Sequence, residues 1–172
     1  MSRNRIFNII MIPLGLGLGL WVGWLLLNQA GEAPDYFAQY FVPHPIRDLD
    51  TGPMVHWSKA VNVYALGDYV AANAELRAAE QAQELPRVIT RFYQGQCLLA
   101  TGYAREAETL YRKLLQQPAG PHEPMQWYLM LAQVDLGQFQ AAREMLAEII
   151  SEQGYYAGTA AQLLGELDSG AL

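Results

Sequence analysis

Cysteine is the scarcest reactive residue: the chain has one, Cys97. A single thiol excludes an internal disulfide framework and any cysteine-rich zinc site. Its place inside an apolar helical pattern marks it as a small core residue. Charge is also thin. Only 16% of the residues are Asp, Glu, Lys or Arg, and they form no basic cluster. Beyond residue 30 there are 9 basic and 17 acidic residues, a net of -8. Phosphate backbones demand a basic face, so nucleic acid is not an expected partner. Catalytic groupings are missing too. There is no glycine-rich phosphate loop, no HExxH, no nucleophile elbow and no Cys–His pairing in a usable context, so no enzyme is expected. His44, His56 and His122 stand far apart without a carboxylate motif, and Asp48 and Asp50 lack the rest of a calcium loop. No metal and no cofactor are expected.

What the chain does have is one long apolar run. Ile6 to Leu27 covers 22 residues without a charge. As a helix it would reach about 33 Å, matching a hydrocarbon core of about 30 Å. The run exceeds the usual apolar region of a cleaved signal, and the small-x-small site Gly31-Glu32-Ala33 is followed by Pro34, so a retained anchor is expected. Arg3 and Arg5 precede it, whereas Glu32 and Asp35 follow it. That asymmetry predicts a cytoplasmic tail of residues 1–5 and places everything after Leu27 on the far side. Within the span Gly15, Gly19 and Gly23 share a helical face, where close approach of another helix is possible.

Residues 28–52 read as a juxtamembrane linker punctuated by Gly31, Pro34, Pro43, Pro45 and Gly52. Between the prolines, Tyr36, Phe37, Tyr40 and Phe41 form adjoining aromatic stripes on a turn or two of helix. These rings are expected at the membrane surface or, by preference, packed on the first following unit as a cap. Pro43-His44-Pro45 reads as a stiff, extended spacer.

The remainder, 53–172, repeats itself. Trp57, Phe92 and Trp127 stand 35 residues apart, as do Gly67, Gly102 and Gly137. Ala72, Ala107 and Ala142 keep the same step, and so do Leu76, Tyr111 and Leu146. A period of this size marks stacked helix–turn–helix units, none able to bury its apolar face alone. Three units are predicted at about 53–87, 88–122 and 123–157, followed by a capping helix at about 156–168 with Ala160, Leu163, Leu164 and Leu167 on one side. The fold class is therefore all-α: an N-terminal transmembrane helix, then a short α-solenoid.

The small–large pattern of the first helices, the Gly67-Asp68-Tyr69 turn and the second-helix alanines resemble the tetratricopeptide repeat family over about residues 53–157. Met130 and Ala104 depart from the usual small and aromatic residues of that pattern. The whole chain looks like the short membrane-anchored tetratricopeptide proteins of bacterial envelopes. The resemblance implies an inner face lined by first helices: Trp57, Val61 and Tyr64, then Phe92, Gln96 and Leu99, then Trp127, Leu131 and Val134. The Lys and Asn side chains with which the family clamps carboxyl termini are replaced by aromatic and aliphatic ones. Such a face would suit an apolar helix or an extended protein segment, unless the linker or the last helix already fills it. The expected function is a protein-binding scaffold, an accessory subunit anchored in a bacterial inner membrane with its repeats outside the cytoplasm. A regulatory or sensory protein, or an assembly factor holding clients transiently, are the alternatives.

Overall fold

A computed structural model describes residues 34–46 and 54–170. The helices fall within one compact unit, Tyr36–Leu172. The expected span 6–27, with Gly15, Gly19 and Gly23, lies outside the described residues. No described helix is long and apolar enough to cross a membrane.

The described residues are all-helical, without strands. A short helix, α1 (Tyr36–Tyr40), precedes seven longer ones: α2 (Val55–Ala65), α3 (Tyr69–Gln81), α4 (Arg87–Ala100), α5 (Ala104–Leu115), α6 (His122–Asp135), α7 (Phe139–Glu152) and α8 (Ala157–Ser169). From α2 onward each helix packs on the next in the chain, as an α-solenoid requires. The exception is α1, which lies against α6.

The repeated residues explain the repeated geometry. Gly67, Gly102 and Gly137 have φ of 80°, 79° and 69°, a left-handed conformation that glycine adopts without steric cost. At each, the glycine N–H and the next N–H turn back to carbonyls of the preceding helix, as Gly67 to Tyr64 and Asp68 to Val63. This bonding satisfies carbonyls that a helix end leaves orphaned. Asp68 then caps α3 by accepting from the Ala71 N–H at 3.0 Å. The start of α2 is held differently. Met54 offers no side-chain cap, and the Glu84 carboxylate instead accepts from the N–H groups of His56 and Trp57 at 3.1 and 2.8 Å.

Ala72, Ala107 and Ala142 are fully buried where second helices meet first ones. At the larger column, Tyr111 takes the place held by Leu76 and Leu146. Room for its ring comes from Gly95 on α4, where a Cβ would run into the phenol. Cys97 is buried, and burial pushes its thiol up to about 12, so it remains an inert thiol at neutral pH.

Two apolar clusters result. One centres on the first helix pair, with Trp57, Tyr64 and Leu76, and takes in Cys97 of α4. The other runs through the rest and contains Phe92, Tyr111, Tyr128, Leu131 and Leu146. Ile89 and Tyr93 pack against both.

Candidate interaction groove and the segment that fills it

The first helices α2, α4 and α6 present one face to residues 36–46 of the same chain, here termed the strap. Its course corrects an expectation. The aromatic turn does not cap the first unit: Tyr36, Phe37 and Phe41 pack on the larger cluster, toward α6 and α8. Ile46, at the other end, packs on the first-unit cluster. The strap therefore runs from the last helix back to the first pair, across the junction of the two clusters. The physical reason is the supply of apolar partners. Phe37 stacks on Phe41 with centroids 4.9 Å apart, and Phe41 meets the edge of Tyr128 at 6.3 Å. Tyr128 belongs to α6, whose residues Met125 to Val134 are all buried.

A latch holds the strap's start. Tyr40 donates from its hydroxyl to Glu166 Oε1 at 2.8 Å, Gln39 donates to Oε2 at 3.3 Å, and the Tyr36 hydroxyl reaches the Glu166 carbonyl at 3.3 Å. The bonds from Tyr40 and Gln162 hold the Glu166 carboxyl below its usual range. Burial, followed by the bond to Glu166, pushes Tyr40 up to about 12.

From Phe41 to Ile46 the chain is not helical. Pro43 and Pro45 have φ fixed by their rings, and each drives the residue before it toward an extended conformation. An extended segment laid on helices finds no strand partner, so side chains must satisfy its backbone. Here they do. Tyr128 donates to the Val42 carbonyl at 2.7 Å, Tyr64 to the His44 carbonyl at 3.0 Å and Tyr93 to the Pro45 carbonyl at 3.0 Å. Between Val42 and Ile46 the one backbone N–H is that of His44, because prolines flank it. It donates to Gln96 Oε1 at 3.2 Å.

Gln96 is itself buried and bonded at both ends of its amide. Its amide nitrogen donates to the Tyr111 hydroxyl at 2.7 Å, and that hydroxyl donates to the Phe92 carbonyl at 3.1 Å. A continuous polar line thus joins the strap backbone to the core. The His44 ring sits among aromatics, 5.2 Å from Phe92, 6.2 Å from Tyr93 and 6.3 Å from Tyr128. Burial there lowers its pKa, favouring the neutral imidazole.

The residues expected to line the inner face divide into two groups. Tyr64, Phe92 and Gln96 touch the strap. Trp57, Leu99, Leu131 and Val134 are buried in the two clusters, and Val61 is half-buried beside the first. Trp127 is also buried, its ring stacked on Tyr156 at 4.9 Å. Sequence reasoning missed Tyr93, Tyr128 and Glu166. The signal was present in the register: Tyr93 and Tyr128 stand 35 apart, and Glu166 continues the column of Gln96 and Leu131.

Beside the strap an open depression of about 740 Å³ is lined by Pro43, His44, Trp127, Tyr155 and Tyr156 among others. Tyr155 at its rim is 86% exposed, so this depression carries free aromatic area. Among the described residues no group of three His, Cys, Asp or Glu could hold a metal ion. The arrangement can bind a backbone and aromatic rings. No protein-family model, curated protein or solved structure matches this chain.

Proposed function

We propose that the chain is a membrane-anchored protein-interaction scaffold, an accessory subunit of a bacterial inner-membrane complex rather than an enzyme. In this reading residues 6–27 span the bilayer, and the helical units, built like tetratricopeptide repeats, work outside the cytoplasm. The observation that carries the binding part is the seated strap. Four backbone groups of an extended segment are met by Tyr64, Tyr93, Gln96 and Tyr128. A face that satisfies a peptide backbone through side chains has the means to recognise protein segments. The apolar run and its flanking charges support the anchor, and Gly15, Gly19 and Gly23 offer a second docking site for a partner helix.

The test is purification from solubilised membranes under mild detergent. A stoichiometric partner is expected, and Gly19→Ile is expected to weaken its retention. A chain that emerges alone and monomeric would sink the scaffold reading; substoichiometric clients would replace it with an assembly factor.

A further inference from the structure

The strap is bonded to the array as a ligand is bonded to a receptor, and this has a consequence for what the groove takes. Three observations converge. The contacts between Val42 and Pro45 are mostly to backbone atoms, which any chain possesses. Proline at 43 and 45 removes the N–H groups on either side of the one that Gln96 serves, so neither position presents a donor to the apolar helices. The groups that read the strap belong to helices separated from it by 20 to 86 residues, and three of the four are tyrosine hydroxyls able to turn to water when the groove empties.

We propose that residues 36–46 are an exchangeable resident ligand of the inner face, and that the partner segment this face accepts in trans is extended and proline-rich. Its pattern is that of Phe41-Val42-Pro43-His44-Pro45: an aromatic residue, any residue, then Pro-X-Pro with X aromatic or histidine. The first ring would take the place of Phe41 against Tyr128. The X residue would supply the single N–H for Gln96 and place its ring among Phe92, Tyr93 and Tyr128. The flanking prolines keep the segment extended before it binds, which lowers the ordering cost. Tethered in cis, the strap competes at an effective concentration in the millimolar range. The intact chain is thus closed to weak ligands, and it opens to those that outcompete its own strap.

This rests on the scaffold reading, and one experiment separates the two. A protease site is placed between Ile46 and Met54 in the full chain, which is held in detergent. A fluorescent peptide of residues 35–46 is the probe. Before cleavage the probe binds weakly. After cleavage, excess probe should release 54–172 from the amino-terminal fragment. The released domain should keep its helical circular dichroism and bind the probe about 10- to 100-fold more tightly than the uncut chain does. A probe carrying His44→Pro lacks the N–H that Gln96 reads and should fail to compete, and Gln96→Leu should weaken binding of the native probe. If 54–172 unfolds on release, the strap is part of the core and the proposal is wrong. Failure of the probe to displace the strap, or equal competition by the His44→Pro probe, would also overturn it. A membrane partner that co-purifies without displacing the strap removes this proposal alone; absence of any partner removes the scaffold and leaves the exchange measurable.

Discussion

Helices α2 and α6 occupy the same place in the first and third units, yet they live in different surroundings. On α2 only Trp57, Ala60 and Tyr64 are buried, one stripe as expected of an amphipathic helix. On α6 ten consecutive residues, Met125 to Val134, are buried. The difference arises from neighbours. Helix α2 packs chiefly on α3, whereas α6 is enclosed by α5, α7, α4 and the strap's α1. Equivalent positions in a repeat are therefore not equivalent in energy: what surrounds a unit decides which of its residues are core.

The largest test of that contrast compares one column. Leu131 is fully buried, while its counterpart Val61 is half-buried. Leu131→Ala is expected to cost about 2–5 kcal/mol in urea unfolding. Val61→Ala should cost about 1 kcal/mol, in keeping with partial burial. Equal losses would break the comparison. Trp127→Ala, an obvious groove variant from the sequence, belongs with the large losses because its ring is buried against Tyr156.

A second test concerns how the units balance volume. Gly95 faces the Tyr111 ring, so Gly95→Ala should cost about 1–3 kcal/mol by overpacking. Tyr111→Leu gives the second unit the residue found in the other two, at the cost of the bonds to Gln96 and Phe92. Combined, the two changes should destabilise by less than their sum, a non-additivity that equilibrium unfolding of all three variants measures. Strict additivity would mean the glycine is not there for the ring.

Docking of the strap should respond to pH. Burial depresses the pKa of His44 from 6.5, and hydrogen bonds depress that of Glu166 from 4.5. Both groups therefore stabilise the docked strap above their ordinary pKa and lose that contribution as pH falls through their folded values. Acid should loosen the strap in two steps, the first below 6.5 through His44 and the second below 4.5 through Glu166. In alkali the sign reverses. Tyr40, raised from 10.0 to about 12, supports docking below pH 10 and loses it as pH climbs toward 12. Ring NMR signals of the strap aromatics across pH report all of this, and His44→Gln should erase the first acidic step while leaving the second.

The smallest expected effect lies at the helix starts. Asp68 caps α3, whereas Tyr103, its counterpart before α5, makes no side-chain cap bond. Asp68→Ala should cost about 1 kcal/mol, and Tyr103→Asp should recover up to about that much. Thermal melts of the two variants shifting in opposite directions would show that the register carries over to the caps.

The helical units were legible because their cues are local. A glycine that must take positive φ at 67, 102 and 137, an aspartate that caps at 68 and a buried alanine at 72, 107 and 142 each act within a few residues of themselves. Local geometry repeated at a fixed step leaves a readable pattern. The candidate site was legible only in part. Tyr64, Phe92 and Gln96 stood out by register, but Tyr93, Tyr128 and Glu166 act through bonds to a segment 48, 86 and 126 residues distant.

By itself, then, the sequence determined the helices, their turns and the small–large fit between them, since each follows from backbone conformation and nearest-neighbour packing. Tertiary structure alone decided that residues 36–46 lie across the first helices instead of capping the first unit. The reason is physical. Between Val42 and Pro45 the strap is held through three backbone carbonyls and one N–H, and which side chains meet them depends on where the chain lies in space.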